Sequence, residues 1–313
     1  MSAVAQDSRD RVVTFVGGGL GGAVGAFMTN PLDVVRTRFQ ARVKSDVTQL
    51  AQTYRFATLH AVRLIAKTEG VPGLFRGLTP NLVGIVPSRS IYFATYSSTK
   101  GFLLQHYQKK ENWITHALSA CTASIVTSTA VNPIWVIKVR LQLQSTNSQL
   151  FGSGSQGQMY NGYLDAFSRI FREEGFRAFY KGLGASMLGI SETVIQFLMY
   201  EKMRALVKER RDPTPVDNLF VGGLSKFCAS SITYPHEVLR TRMREQRTHA
   251  GSLVKPMGLL QMSSFILKEE GLAAFYGGFG PHMLRVVPNT AIIFAVFELV
   301  VRVFGSSTMR DAR

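Results

Sequence analysis

Apolar and polar stretches alternate along the chain in an order that recurs three times. A long apolar segment is followed by a polar connection with a short amphipathic stretch, and then by a second long apolar segment. Apolar segments of this length are typical of helices that span a membrane. The pattern predicts six long helices, spans 1 to 6, over about residues 11–40, 80–106, 113–143, 183–209, 217–244 and 279–304. It also predicts three short helices lying along the membrane surface, over about residues 57–68, 163–173 and 256–268.

One ten-residue motif ends each odd-numbered span. Its copies are Pro31-Leu-Asp-Val-Val-Arg-Thr-Arg-Phe-Gln40, Pro133-Ile-Trp-Val-Ile-Lys-Val-Arg-Leu-Gln142 and Pro235-His-Glu-Val-Leu-Arg-Thr-Arg-Met-Arg244. The prolines stand 102 residues apart both times. A fixed period of this length indicates one structural unit repeated three times.

A second marker has nearly the same period. Glu69-Gly70, Glu174-Gly175 and Glu270-Gly271 each precede an aromatic-rich turn. The two markers divide the chain into a polar N-terminus (1–11), three repeats (12–107, 108–211 and 212–305) and a C-terminal tail (306–313).

The pattern Pro-x-[Asp/Glu]-x-x-[Lys/Arg]-x-[Lys/Arg]-x-Gln, met three times, resembles the mitochondrial carrier family. The resemblance covers about residues 12–305. It implies an all-α membrane fold, with six transmembrane helices in three repeats of about 100 residues, threefold pseudosymmetry and short amphipathic matrix helices. It also implies a monomer in the mitochondrial inner membrane, with both termini toward the intermembrane space and cardiolipin at the starts of the short and even helices.

The same resemblance bears on what is carried. Trp135, in place of the second acid, resembles the branch that carries nucleotides, NAD, FAD and folates. The stretches 81–93, 189–197 and 234–244 resemble pyrimidine nucleotide carriers most. The implied activity is exchange of (deoxy)pyrimidine nucleotides by alternating access, with a NAD, FAD or folate carrier as the alternative. No enzyme activity and no cofactor are expected.

Charge and composition agree with an anionic partner. The formal net charge is +16 and the mean hydropathy is only slightly positive, which fits helices with one lipid face and one wet face. The basic residues accompany each repeat and do not form one patch, so nucleic acid is not expected as a partner. Cys121 and Cys228 lie in apolar segments and are interpreted as small buried hydrophobic residues.

A glycine-rich stretch in span 1 offers a different interpretation, a soluble dinucleotide enzyme. Gly17, Gly19 and Gly22 have the spacing of a phosphate-binding turn, but that turn needs a preceding strand and a later acid on a second strand. The interpretation we prefer is close packing of a neighbouring helix on Gly18/Gly22 and Gly21/Gly25. No Walker loop, nucleophile elbow or metal-ligand spacing of the six histidines supports a catalytic site.

The motif charges predict a gate on the matrix side, whereas the alternative is that they only anchor helix ends at the interface. A proline kinks a helix, and an acid and a base three residues apart share one face beyond it. The resemblance implies the pairs Asp33–Lys138 and Glu237–Arg36, and we expect Arg240 to lie on the indole face of Trp135. Gln40 and Gln142 are expected to brace these ion pairs through hydrogen bonds. In the third copy of the motif Arg244 stands in place of the glutamine. For the opposite, cytosolic gate the resemblance implies Lys100, Glu201, Arg204 and Glu298, with only the Glu298–Lys100 bridge retained between spans.

Charges deep inside spans predict the substrate site, because they are costly in a membrane. Lys226 and Arg285 are expected to neutralise phosphates, and Arg285 can bind a phosphate bidentately. Small or polar neighbours would accommodate and read the base and the sugar, whereas Arg89 has the alternative role of pairing two helices. The predicted binding residues are Gly84, Ser88, Arg89, Gly189, Ile190, Glu192, Gln196, Lys226, Arg285 and Asn289.

Overall fold

The structure is a computed structural model that describes residues 3–41, 57–106, 113–144, 160–210, 215–246 and 257–304. Within these ranges the regular structure is helical throughout. The helices are α1 (Ala3–Ala41), α2 (Ala57–Thr68), α3 (Gly70–Leu74), α4 (Leu78–His106), α5 (Trp113–Leu143), α6 (Tyr163–Glu174), α7 (Leu183–Leu188), α8 (Ile190–Arg210), α9 (Pro215–Thr233), α10 (Pro235–Glu245), α11 (Leu259–Glu269) and α12 (Phe279–Phe304), with short 3₁₀ turns at Phe176–Tyr180 and Leu272–Tyr276.

All six predicted spans are present. Span 1 is α1, span 2 is α4, span 3 is α5, span 4 is α7 with α8, span 5 is α9 with α10, and span 6 is α12. Three stretches within spans 3, 4 and 6 are long and apolar enough to cross a membrane by length and composition, namely Ile114–Leu143, Phe176–Glu209 and Leu272–Phe304. The surface helices α2, α6 and α11 match the three predicted short ones.

The boundaries differ from the prediction in three places. Span 1 starts at Ala3 rather than near residue 11, because the polar N-terminal residues continue the same helix. Span 4 is interrupted at Gly189 and span 5 at Tyr234, next to a proline that has no N–H for the helical ladder. The predicted polar connection after span 1, over residues 42–56, and the C-terminal tail (306–313) lie outside the described residues.

The spans contact one another in a ring. Span 1 packs on spans 2 and 6, span 2 on span 3, and span 4 on spans 3 and 5, while the 3₁₀ turn before span 6 contacts span 5. The motif ends of the odd spans 1, 3 and 5 also contact each other directly. The three copies of the motif therefore meet in one place.

A small hydrophobic cluster in each repeat fixes the surface helix against the motif end of the odd span. Ile65 of α2, Ile170 of α6 and Ile266 of α11 have equivalent places in the three clusters and are at most 1% exposed. Their partners on the odd spans include Val35, Ile137 and Leu239. The surface helices thereby set where the motif ends lie.

Glycines at the start of the even spans permit close contact between repeats. Gly77, Gly182 and Gly278 have φ between 77° and 79°, a left-handed conformation that favours glycine. A Cβ at Gly77 would also lie 2.7 Å from Cγ of Gln142, in the motif of the next repeat. The turn and the motif therefore pack without room for a side chain.

The glycine-rich stretch of span 1 is a packing surface within a continuous helix. This excludes the dinucleotide-binding turn, because no strand precedes it in the described residues. A Cβ at Gly21 would lie 2.8 Å from the carbonyl oxygen of Ile293 in span 6, and one at Gly22 would lie 3.4 Å from Ile85 in span 2. A neighbouring helix was expected to pack on Gly18 as well as on Gly22. A Cβ at Gly18 would have no atom within 4 Å, so no helix packs there in the described residues.

The difference between Gly21 and Gly18 gives a matched test of this packing. Gly21→Ala is expected to lower the free energy of unfolding by about 1–3 kcal/mol, because the methyl group meets backbone rather than a flexible side chain. Gly18→Ala is expected to be neutral or slightly stabilising, since alanine favours helix and its methyl group meets open space. Thermal unfolding in detergent compares the two, and equal effects would contradict the close approach of spans 1 and 6.

Candidate functional site: the motif ends and the cavity above them

Two buried carboxylates lie where the motif ends of the odd spans meet. Asp33 Oδ2 is 2.7 Å from Nζ of Lys138, which is the expected pair between spans 1 and 3. Glu237 accepts a hydrogen bond from Arg36 Nη2, which is the expected pair between spans 5 and 1. Both carboxylates have side chains at most 11% exposed, so the pairs lie away from water.

Arg240 does not lie on the indole of Trp135 as expected. Its Nη2 lies 2.6 Å from Oε2 of Glu237, three residues earlier on the same helix. Attraction to a carboxylate outweighs attraction to a ring, and the same helix face brings this acid within reach. The cation above the ring of Trp135 is Lys138, whose Nζ is 5.3 Å from the ring centroid.

The two glutamines brace the motif ends. Gln142 donates through Nε2 to Asp33 Oδ2 (3.0 Å) and accepts at Oε1 from Thr37 (2.8 Å). Gln40 makes a similar pair of bonds, accepting from Thr241 and donating to the hydroxyl of Tyr234. Each brace therefore joins two repeats.

Arg244 occupies the place of the third glutamine and forms a different contact. Its Nη2 donates to Oδ1 of Asn132 (2.9 Å) and to Oγ of Ser186 (3.1 Å). Both acceptors belong to repeat 2, so this arginine still links two repeats although it departs from the glutamine pattern.

The sequence argument missed the role of the second base of each motif. Arg38 binds Glu69 through both terminal nitrogens, at 2.7 and 2.8 Å, and Arg242 binds Glu270 in the same way. Arg140 forms the equivalent pair with Glu174. The sequence contained a signal for these pairs, because the second base of the motif and the glutamate of the Glu-Gly marker both recur once in each repeat. Their spacing along the chain does not show that the two side chains are in contact.

The same three arginines close a ring. Through Nε, Arg38 donates to the carbonyl of Gln142 (3.1 Å), Arg140 to that of Arg244 (3.0 Å) and Arg242 to that of Gln40 (3.0 Å). Repeat 1 is thus bonded to repeat 2, repeat 2 to repeat 3, and repeat 3 to repeat 1. The motif end of the bundle is closed by this ring together with the two buried carboxylates.

Arg285 of span 6 lies next to the motif ends. Its Nη1 is 3.3 Å from Oδ1 of Asp33, and its side chain is 22% exposed. Its Nε is buried and has no hydrogen-bond partner. This predicted phosphate-binding residue is therefore in contact with Asp33. The two carboxylates Asp33 and Glu237, with the cations that contact them (Arg36, Lys138, Arg240 and Arg285), are called the motif ring below.

Lys226 is also paired. Its Nζ lies 2.7 Å from Oε1 of Glu192, which accepts a second bond from Ser230 (2.7 Å). Ligand atoms of Glu192, His236 and Glu237 lie within 4.8 Å of one another, a grouping that the histidine spacing did not predict. Both carboxylates already have cationic partners, which disfavours a metal ion there.

Gly84 and Gly189 do not leave open space for a flat base. A Cβ at Gly84 would lie 3.4 Å from Cη2 of Trp135, and one at Gly189 would lie 2.8 Å from Nε2 of His236. The expectation of free room is wrong for this structure, because a motif side chain fills the space beside each glycine.

The other predicted binding residues differ in their surroundings. Asn289 accepts from Thr29 at 3.4 Å and so contacts span 1, whereas Oγ of Ser88 is buried without a hydrogen-bond partner. Arg89 is exposed. Ile190 and Gln196 are half-buried.

Three of the four predicted cytosolic gate residues are exposed, unlike the charged residues of the motif ring. Glu201 and Arg204 are exposed, and Lys100 is half-buried. Glu298, whose side chain is 54% exposed, lies 3.8 Å from Arg302 one turn further along span 6. The structure is closed at the motif end and presents accessible charges at the other.

Comparison with known proteins gives one family. The sequence matches the family described as mitochondrial carrier protein over residues 8–107, 109–211 and 211–308. It is 40% identical to solute carrier family 25 member 36-A of Danio rerio, over 94% of this chain and 97% of that protein. It is 39% identical to the mitochondrial pyrimidine nucleotide transporter RIM2 of Saccharomyces cerevisiae (94% and 86% covered) and 35% identical to solute carrier family 25 member 33 of Homo sapiens (98% and 100% covered).

The Arg140–Glu174 pair allows a test of how much the ring stabilises the fold. Glu174→Gln leaves the guanidinium of Arg140, which is 1% exposed, without its counter-ion, so we expect a loss of about 3 kcal/mol in the free energy of unfolding. The control is Asp165→Asn on the same surface helix, where the ion pair with Arg169 is about a quarter exposed and its loss should shift the melting temperature little. Heating in detergent with a thiol-reactive dye reports unfolding through the two native cysteines.

The pH dependence of this contribution follows from the surroundings of Glu174. Burial raises its pKa, but the hydrogen bonds and charges of Arg140 and Lys181 outweigh burial and hold the pKa below its ordinary value. A carboxyl group with a lowered pKa stabilises the fold above its ordinary pKa and loses that effect as the pH falls through the folded value. The two variants should therefore differ clearly at neutral pH, and equal melting temperatures there would contradict the role of the ring.

Proposed function

The chain belongs to the mitochondrial carrier family, and on that premise we propose that it exchanges pyrimidine nucleotides across the mitochondrial inner membrane by alternating access. One of its relatives, 39% identical, is named a pyrimidine nucleotide transporter. The stretches that resemble pyrimidine carriers contribute Ser88, Glu192 and Glu237 to the cavity and the motif ring. The substrate class therefore rests on both similarity and local sequence.

The observation that carries the proposal is a surplus of cations where the motif ends of the odd spans meet, which would be the floor of a substrate cavity. In the described part of the motif ring, four cations surround two carboxylates, and the place of a third acid is taken by an indole. An anion is needed to balance this charge in a medium of low dielectric constant, and a nucleotide phosphate supplies it. The set comprises Arg36, Lys138, Arg240 and Arg285 around Asp33 and Glu237.

Within this proposal Arg285 is the principal phosphate ligand. Its buried Nε is an unused donor, and a planar guanidinium binds phosphate bidentately. Lys226 contributes less than the sequence suggested, since its charge is already balanced by Glu192. Arg89, which is exposed, is a weaker candidate than either.

The polar residues around the cavity would read the base and the sugar. Ser88 has an unused hydroxyl, Glu192 offers carboxylate oxygens, and Gln196 and Asn289 offer amides. A base entering beside Ile190 has to displace or stack on Trp135 and His236, because these rings fill the space next to Gly84 and Gly189. Specificity therefore depends on aromatic motif residues as well as on the small ones.

The gates would alternate around this site. The buried pairs of the motif ring close the matrix side, and Lys100, Glu201, Arg204 and Glu298 would contribute to closure of the cytosolic side. Both termini are proposed to face the intermembrane space, the carrier to work as a monomer, and cardiolipin to bind at the starts of the short and even helices, where unpaired backbone N–H groups favour anions.

The substrate is tested by uptake into liposomes preloaded with single nucleotides. Exchange of a uridine or cytidine nucleotide should exceed that of ATP, NAD, FAD or folate under the same conditions, because the polar groups of the cavity are expected to fit the smaller base. Empty liposomes and liposomes without protein are the controls. Strong NAD, FAD or folate uptake without pyrimidine uptake would contradict the proposal in favour of the alternative carriers.

The gate is tested by restoring its missing acid. Trp135→Asp is expected to draw Arg240 from Glu237 and to add a third pair between spans, which deepens the closed state. An ion pair contributes about 0.2–1 kcal/mol, so exchange should slow up to about fivefold while nucleotide binding persists. The matched control is Trp135→Asn, which removes the indole without adding charge. Equal exchange rates in the two variants would show that no new pair forms.

A further inference from the structure

Asp33 is shared by cations from three spans. Lys138 of span 3 lies 2.7 Å from one carboxylate oxygen, and Arg285 of span 6 lies 3.3 Å from the other. Arg36 of span 1 lies 4.0 Å away, at the limit of an ion pair. A residue assigned to the substrate site is thus in direct contact with a residue assigned to the gate.

Asp33 has one carboxylate oxygen left for Arg285. Lys138 takes the other oxygen, and Arg36 of the same span binds Glu237, the partner expected for it. Glu237 also binds Arg240, because Trp135 offers that arginine no carboxylate. The second oxygen of Asp33 is therefore left to a cation from outside the motifs.

Only one of the three repeats supplies such a cation. The positions equivalent to Arg285 in the first two repeats are Gly84 and Leu188, which carry no charge. The contact therefore breaks the threefold symmetry of the gate, and it does so on span 6, which packs along span 1. Closure of the matrix side depends on a residue of the cavity wall.

We propose that Arg285 is a member of the matrix gate in the empty carrier and leaves Asp33 when a substrate phosphate binds it. The proposal rests on the proposed function in one respect, that the transported anion carries phosphate. The Arg285 contact is longer than that of Lys138, and its guanidinium is partly exposed with an unused Nε donor. A phosphate reaching the cavity floor competes with a single carboxylate for this group, and its greater charge favours the exchange of partners.

The consequence is a direct coupling between occupancy and opening. While Arg285 stays on Asp33, spans 6, 1 and 3 are held together at the motif end. When the phosphate takes Arg285, Asp33 keeps Lys138 and the brace from Gln142, and the gate loses one of its contacts. Anions too small or too weakly charged to draw Arg285 away would bind without opening the gate.

The test measures how accessible the matrix side is without any nucleotide. Val139 is 7% exposed and packs with Ala41 and Leu143 where the ends of spans 1 and 3 meet, so Val139→Cys reports their separation. The background is Cys121→Ala with Cys228→Ala. In this background Arg285→Ala should raise the rate of thiol labelling about threefold to tenfold in the absence of substrate, because an ion pair of the closed state is lost.

The matched control is Arg302→Ala, which removes a cation from the same span near the end opposite the motif ends. Its side chain is 75% exposed and lies 3.8 Å from Glu298, which is not part of the matrix gate. Labelling of the empty carrier should stay at the level of the reference. If Arg285→Ala also leaves labelling unchanged, Arg285 has no gate role and the proposal is overturned.

A double-mutant comparison distinguishes loss of the contact from general destabilisation. Asp33→Asn should raise labelling by itself, and adding Arg285→Ala to it should cause little further increase, because the contact is already gone. If Arg285→Ala raises labelling by the same factor with and without Asp33, its effect does not pass through that carboxylate and the proposal fails.

A third arm tests the release step. A nucleotide that the liposome assay shows to be exchanged should raise labelling of the Val139→Cys protein and should have no effect after Arg285→Ala. Unchanged labelling of the reference by an exchanged nucleotide would overturn the competition between phosphate and Asp33. The first two arms use no nucleotide, so an error in the proposed substrate does not alter their outcome.

Discussion

The architecture of this carrier depends on one constraint, that a charge taken out of water must be neutralised by its neighbours. The motif ends of spans 1, 3 and 5 bring cations together with two carboxylates, Asp33 and Glu237, whose side chains are at most 11% exposed. Removing either partner of such a pair leaves an uncompensated buried charge, which costs far more than the pair contributes. The three repeats are therefore held together at this end by contacts that cannot be lost singly.

Two sets of charges share that task in different ways. The second bases, Arg38, Arg140 and Arg242, follow the threefold symmetry and bind both a glutamate of their own repeat and a carbonyl of the next. The first bases do not follow it, because Trp135 removes one acid. The regular set fits a structural role, since it is saturated with partners, whereas the irregular set has more cations than carboxylates and can exchange partners.

One ion pair joins a predicted substrate residue to a predicted gate residue. Asp33 and Arg285 belong to different repeats and to different predicted sites, yet their side chains are 3.3 Å apart. Asp33 keeps Lys138, its expected partner, so Arg285 adds a contact and replaces none. Because the equivalent positions Gly84 and Leu188 carry no charge, this contact departs from the threefold symmetry.

The sequence by itself determined the repeat, the six spans and the surface helices, because hydrophobic periodicity and a recurring motif fix these locally. The partners Lys138 for Asp33 and Arg36 for Glu237 came from the resemblance to the family, and the structure contains both pairs. The sequence did not determine the partners of Arg240, Lys226 and Arg285, or the filling of the space beside Gly84 and Gly189. A charged side chain binds the nearest available counter-ion, and which one is nearest depends on how helices from different repeats pack. Only the tertiary structure showed that the glutamate of the Glu-Gly marker binds the second base of the motif, and that Arg285 contacts Asp33.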